Sequence, residues 1–451
     1  MNDQTQKKFS TQSLRGFEDF YPSKLRVMKW ILEKLKKTVE TYCYEEYEGP
    51  TLEPIEIFAA KSSDELVYEQ SFYVEKKKGE KLILIPEITP TLARMIAKKE
   101  QEFKKPIRWY SCPKLYRYER PQRGRKREFY QFNMDILGEE SLYAELEIFE
   151  AIIDFLTGFG ATAEQFQIYY NNRRFIDSLC EILLGIPKEK MPDVYHVLDK
   201  AEKMDESEFE KFVIDTFQNE LVIQGIFKIR ENNSVQELLE KFEKVPEELY
   251  ESTGYKEIVK LEKLIKETNI EEYCAFSSSV VRGLDYYTGT VFEVFDTGEK
   301  NRRAIFGGGR YDDLLSLFTE EQLSGIGFGM GVLMLKLFLD TYNLIPEEIS
   351  KKNFSDTLYI ASINEQVASY ALKVAQRIRA ENIACMIDYR FDSLSNQLSK
   401  ANDLGIGISI IIGPREMENG QVTVKNMATE EQKTIQLDNL VKEIKDQLVK
   451  S

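Results

Sequence analysis

The sequence predicts an α+β core interrupted by a helical insertion and followed by a smaller α/β domain. Three observations carry that expectation. Residues 108–138 alternate in character on either side of a long basic turn, the pattern of two antiparallel strands. Residues 185–270 are rich in Lys and Glu, poor in Gly, and patterned as short amphipathic helices. Residues 357–451 alternate strand-like with helix-like stretches.

Along the core, Met28, Ile31, Leu32, Leu35, Val39 and Tyr42 recur at helical spacing, which predicts a helix over residues 21–42. Thr51–Pro54 reads as extended, Leu82–Pro86 as a short strand and Thr89–Lys98 as a helix. A helix over 140–160 places Leu146, Phe149, Ile153 and Leu156 on one face. Residues 274–340 return to strand and glycine character in SSVVRGLDYYTGTVFEVF, AIFGGGRYDDLL and SGIGFGMGVLMLKLF. The core is expected over 1–345, with the insertion at about 185–270, and the polar, aperiodic residues 346–356 as a linker. In 357–451, strands at TLYIASI, IACMIDY, IGISIIIG and VTVKN alternate with helices over 366–380 and 393–404 and a closing helix marked by Leu437, Leu440, Val441, Ile444 and Leu448. This predicts a small, mostly parallel sheet with right-handed crossovers.

Composition excludes several chemistries. The five cysteines are scattered and form no CxxC pair, which argues against a disulfide framework and a cysteine zinc site. The one histidine, His196, sits in a helical context, so neither a histidine triad nor a histidine metal cluster can form. Chemistry must then run on Arg, Glu, Gln and Tyr, which suits positioning of substrates better than nucleophilic attack. No apolar run has the length of a membrane span, and the first residues are polar with no apolar signal core; a cytoplasmic location is expected.

The chain carries a formal net charge of -15, yet between Lys104 and Arg127 it has ten Lys/Arg and one acid, Glu119. A solvated helix would mix Lys with Glu at i,i+4. Here the arginines cluster around Gly124 and are flanked by aromatics at strand spacing, so the stretch reads as a strand–loop–strand facing a polyanion. Arginines there can fork onto phosphate oxygens, and Phe129 can offer a flat face to a base.

Three strings together resemble histidyl-tRNA synthetases, which are class II aminoacyl-tRNA synthetases, and the likeness covers nearly the whole chain. They are RGFEDFYP at Arg15–Pro22, YRYERPQRGRKREFYQ at Tyr116–Gln131 and VRGLDYYTGTVFEV at Val281–Val294. The resemblance implies a class II antiparallel sheet flanked by helices, a homodimer with Pro50 at its interface, and a C-terminal anticodon-binding domain. It implies ATP and histidine as substrates, tRNA(His) as partner and Mg²⁺ bridging the phosphates. By the same likeness Glu87 and Thr89 hold the histidine amino group. Arg117 grips the α-phosphate and the histidine carboxylate, and Arg282 acts on the transition state from the other side. Gln131, Asp135, Tyr286 and Tyr287 line the histidine pocket, with Asp135 standing where relatives have Glu. Glu119, Phe129 and Arg125 match positions at the adenine amino group, the adenine ring and the distal phosphates. No protein metal ligand is expected.

One departure stands out. In GFGMGVLML, Met334 occupies the place of the arginine that holds the γ-phosphate in the family. An apolar side chain anchors no phosphate, so another cation is expected there, Arg310 first and Arg125 second. Two other readings stay open: a histidine-sensing regulatory paralogue without aminoacylation, and an RNA-binding module without chemistry. Arg282 and Glu87 weigh against the module, and the C-terminal domain weighs against the paralogue.

Overall fold

The computed structural model describes residues 9–59, 65–75, 79, 81–201, 204–230, 232–281, 286–298, 301, 304–319 and 322–448. The chain divides into two units, Met1–Pro346 and Glu347–Ser451.

The strands of the first unit are β1 (Glu45–Glu46), β2 (Leu52–Pro54), β3 (Phe72–Glu75), β4 (Lys81–Leu84), β5 (Ile107–Ser111), β6 (Lys114–Tyr116), β7 (Glu128–Leu137), β8 (Phe166–Asn172), β9 (Cys274–Phe276), β10 (Thr290–Asp296), β11 (Ala304–Tyr311) and β12 (Gly325–Gly331). Nine of them form one sheet in the order β1-β5-β7-β12-β11-β10-β8-β9, with β6 paired to β7; β2, β4 and β3 form a small sheet. Pairing in the large sheet is antiparallel except at its two ends, β1 with β5 and β8 with β9. The expected pair of strands around the basic loop is present, with Leu115 opposite Phe129.

The helices of this unit are α1 (Pro22–Thr41), α2 (Ile55–Ala59), α3 (Thr89–Lys99), α4 (Tyr143–Gly158), α5 (Arg173–Leu184), α6 (Met191–Lys200), α7 (Glu206–Thr216), α8 (Glu220–Ile229), α9 (Val235–Glu240), α10 (Glu247–Glu251), α11 (Thr253–Glu267) and α12 (Val332–Thr341). Strand period 2 divides β7 between two environments. Phe132, Met134 and Ile136 face the helices, where Phe132 meets Phe155 of α4 edge-on. Gln131, Asn133 and Asp135 face the opposite side and line a cavity.

Helices α6–α11 make up the insertion. Asp205, Asn219, Ser234 and Ser252 cap α7, α8, α9 and α11, each accepting a hydrogen bond from a backbone N–H of the first turn. Helix α5 was not foreseen, although its signals are in the sequence: Asn172 caps its start and Gly185, at φ 64°, ends it in the left-handed conformation.

The second unit holds β13 (Leu358–Ser362), β14 (Cys385–Ile387), β15 (Ile408–Ile412), β16 (Gln421–Asn426) and β17 (Gln432–Gln436), with α13 (Glu347–Ser350), α14 (Ala368–Arg379), α15 (Leu394–Asp403), α16 (Pro414–Glu418) and α17 (Leu440–Leu448). Its order is β14-β13-β15-β16-β17. Every residue of β15 is buried, four isoleucines and Ser409. The sheet is less parallel than expected. β14, β13 and β15 run parallel, but β15, β16 and β17 are antiparallel. β16 returns against β15 after the short connection through α16, and β17 returns against β16 by a hairpin whose turn is held by Asn426 Oδ1 accepting from the N–H groups of Ala428 and Thr429. The segment expected as a bare linker contains the one-turn helix α13, spanned by a Lys351–Glu347 ion pair.

Candidate active site

On the face of the large sheet away from α4 lies a cavity of about 400 Å³. Seven of the residues expected to hold histidine line it: Glu87, Thr89, Arg117, Gln131, Asp135, Tyr286 and Tyr287. The eighth, Arg282, lies outside the described residues.

The floor is possible because the strand beside β7 is glycine at alternate positions. Gly327 pairs with Asp135 and Gly329 with Asn133. A Cβ at Gly327 would lie 2.1 Å from Asp135 Oδ1, and one at Gly329 would lie 3.0 Å from the Gln131 amide. These glycines leave room for their neighbours' polar side chains, which matters more here than any approach of backbone to phosphate.

Asp135 is almost fully buried and accepts a hydrogen bond from the Tyr311 hydroxyl at 2.5 Å. Its other oxygen, Oδ2, is buried without a partner. Burial pushes the carboxyl up to about 7, against the opposing pull of the Tyr311 hydroxyl. Tyr286 donates to Glu87 Oε2 at 3.4 Å, and its ring packs against Tyr287 and Tyr311. Glu87, 5% exposed, thus places a carboxyl group in the wall of the cavity.

Arg117 is half-buried beside this wall. Its Nε donates to the Pro86 carbonyl at 2.9 Å and its guanidinium lies 5.5 Å from the centre of the Phe129 ring. Arg125 also lines the cavity, and its Nη1 is 2.9 Å from Glu119. The basic run is therefore not one patch. Arg108 pairs with Glu147, Lys114 with Glu128 and Lys126 with Glu18, while Arg117 and Arg125 reach the cavity.

Arg310 is not where the sequence reading put it. Along β11, Gly307 and Tyr311 line the cavity, and Arg310 points to the other face. There it is 3% exposed and forks onto Glu145, itself 0% exposed, at 2.7 and 2.5 Å. Its remaining donors go to the Glu139 and Ser141 carbonyls and to Ser324 Oγ. No donor is left for a phosphate. Arg310→Ala would leave the Glu145 carboxylate buried without its cation, at a cost of roughly 3–5 kcal/mol. Denaturant titration should show that loss, with the ATP dependence per folded molecule unchanged; a shift in the ATP dependence at full stability would restore the nucleotide role.

Met334 takes up a packing role. It stands in the first turn of α12, and a Cβ at Gly124, in the basic loop at φ 80°, would lie 2.2 Å from its sulfur. The loop backbone can sit on Met334 because residue 124 has no side chain.

Tyr311, Asn133 and Glu293 also line the cavity and were missed. Strand alternation was the available signal for two of them: Asn133 lies between Gln131 and Asp135 on the same face of β7, and Tyr311 shares a face of β11 with Gly307.

Comparison with known proteins agrees with this geometry. The profile of the family described as histidyl-tRNA synthetase matches residues 16–335, and that of an anticodon binding domain matches residues 357–447. The chain is 35% identical to a histidine–tRNA ligase of Leptospira biflexa over 445 residues, covering 99% of this chain and 100% of the relative. It is 32% identical to a histidine–tRNA ligase of Haloarcula marismortui, covering 94% and 95%. The crystal structure of histidyl-tRNA synthetase from Nostoc sp. PCC 7120 superposes with a TM-score of 0.71 at 22% identity, covering 98% of this chain and 100% of that one. An ATP phosphoribosyltransferase regulatory subunit/histidyl-tRNA synthetase from Bacillus halodurans gives the same TM-score at 20% identity, covering 90% and 100%, so the fold by itself does not separate ligase from regulator. With a matching profile over most of its length and relatives aligned end to end, the chain belongs to the histidyl-tRNA synthetase family.

Proposed function

We propose that the protein is a histidine–tRNA ligase, which activates histidine with ATP and transfers it to tRNA(His). The observation that carries this reading is the cavity itself, whose one lining brings together a buried acid for an ammonium, Glu87, a buried carboxyl with an unpartnered oxygen for a ring N–H, Asp135, and an arginine, Arg117. The match of residues 357–447 to an anticodon binding domain supports tRNA as partner and favours the ligase over a regulatory protein.

In this reading Glu87 and Thr89 orient the amino group, while Gln131, Tyr286 and Tyr287 close around the imidazole. Arg117 forks between the histidine carboxylate and the α-phosphate, so that the oxygen attacks phosphorus from a fixed position. Charge that builds on the phosphoryl oxygens is met by a cation already in place. Arg282 is assigned to the opposite side of the same phosphate on its sequence match alone. Phe129 and Glu119 serve the adenine, and Arg125 the distal phosphates.

Among the described residues no group of three or more Asp, Glu, His or Cys could hold a metal. Mg²⁺ would come with the phosphates instead, and Glu293, which lines the cavity, is the carboxylate that would help to hold it. When bound it neutralises phosphate charge. A homodimer belongs to the same proposal. Its support is the small sheet next to Pro50, where Leu52 and Val74 are exposed. Among the described residues no helix is long and apolar enough to cross a membrane.

The test is ATP–pyrophosphate exchange with each amino acid in turn, followed by charging of tRNA(His). Exchange should depend on histidine alone, because a pocket of buried polar groups penalises any side chain that leaves them unpaired. Light scattering of the same preparation should give a dimer's mass. Exchange with several amino acids, or histidine binding without exchange or charging, would overturn the ligase reading.

A further inference from the structure

Arg173 is 5% exposed and opens α5, one strand away from the cavity. Its Nε donates to the Val281 carbonyl and its Nη1 to the Tyr287 carbonyl, both at 3.1 Å. Its backbone N–H donates to the Gly289 carbonyl at 2.9 Å. The two side-chain acceptors lie on either side of the stretch 282–285, so one guanidinium ties together residues that precede and follow it. Tyr287, whose carbonyl it holds, lines the cavity.

The other side of the guanidinium is covered by the insertion. The Tyr195 ring of α6 lies 4.4 Å from it. The Tyr195 hydroxyl bonds to Asp177 and to the Arg173 carbonyl. A buried cation between an aromatic face and two carbonyls is fixed in one geometry, because guanidinium donors are coplanar and the ring covers their plane. Lysine at this place would offer a charge without the fork.

We propose that Arg173 is a positioning residue for the histidine pocket, holding the chain at Val281 and at Tyr287 of the tyrosine wall, and that the insertion braces it through Tyr195. This rests on the ligase reading above, and it gives the inserted helices a role at the site. A change in α6 is thereby transmitted to Tyr286 and Tyr287 through Arg173, with no contact to either substrate.

The experiment compares the unaltered protein with Arg173→Lys, Tyr195→Ala and Tyr195→Phe. It measures exchange kinetics, histidine affinity by titration calorimetry, and thermal melting. Arg173→Lys and Tyr195→Ala should raise the KM and Kd for histidine by roughly ten- to hundredfold, the scale of one lost charge-assisted hydrogen bond. The KM for ATP should stay within about twofold. Tyr195→Phe, which keeps the ring, should lie close to the unaltered protein. If Arg173→Lys fails to fold, Tyr195→Ala gives the same split. Histidine and ATP constants that rise together, or activity lost only with the folded fraction, reduce Arg173 to a structural residue and overturn the proposal. Variants indistinguishable from an active unaltered protein also overturn it. An unaltered protein that neither binds histidine nor exchanges pyrophosphate refutes the ligase reading, and the clamp with it.

Discussion

Arg117→Ala is expected to lower histidine-dependent pyrophosphate exchange by roughly 10²–10³-fold, the scale seen when one donor to a developing oxyanion is removed. In the proposed mechanism the effect is large because Arg117 meets charge that exists fully only in the transition state. Its side chain holds the protein by an ordinary hydrogen bond from Nε to the Pro86 carbonyl, worth about 1 kcal/mol, and by a contact over the Phe129 ring worth about as much. Stability should therefore change little. Arg117→Lys keeps the charge but loses the planar fork, and should recover only part of the rate. If exchange by Arg117→Ala falls only as far as thermal melting says the protein has unfolded, the transition-state role is wrong.

Asp135→Asn should cost histidine affinity and gain stability. The folded carboxyl is raised to about 7 by burial, from 3.8. The sign follows from linkage: between those values the folded chain holds a proton that the unfolded chain has released, so stability falls as pH rises. Above pH 7 the penalty is complete, a few kcal/mol on the order of three pH units. Asparagine carries no such charge. The variant should melt higher than the unaltered protein at pH 8, and the gap should close as pH falls toward 5. Histidine binding should run the other way. In the unaltered protein it weakens as pH drops below about 7 and Asp135 takes up its proton, and in the variant it is weak throughout. A melting gap that does not depend on pH would show that Asp135 is an ordinary carboxylate. Undiminished histidine affinity in the variant would remove Asp135 from the pocket.

The site was legible in the sequence wherever a short string demanded particular chemistry. Glu87 and Thr89 reach the cavity from the entry to α3, Gln131 and Asp135 from one face of β7, and Arg117, Arg125, Tyr286 and Tyr287 from the loops beside β6, β7 and β10. Arg310 was misplaced because it was chosen as a nearby cation to replace the one missing at Met334, without regard to the face its strand gives it. The period of two in β11 sends residues 307 and 311 to the cavity and 310 away from it. The same period, applied first, would have found Tyr311. Arg173 was illegible for another reason. Its partners are main-chain carbonyls far along the chain, and no side-chain pattern announces them. In the fold, helix period and the buried run of β15 were decisive. The reversal of β16 and β17 depended on the short connection through α16 and on one asparagine turn, local signals too small to outweigh the alternation around them.

The strand order bears on how this protein is made. β7 pairs with β12, and β8 with β10, across the whole insertion. A ribosome delivering the chain from its N-terminus exposes β5 and β7 long before their central neighbours exist. The apolar faces of those early strands must wait while α6–α11 emerge, and pairings this distant form slowly. The capped helices of the insertion can fold in that interval on local contacts. They keep the nascent chain occupied with soluble structure until residue 331 appears and the sheet can close, so a chain truncated before β12 should be handled by the cell as an aggregation hazard rather than as a smaller enzyme.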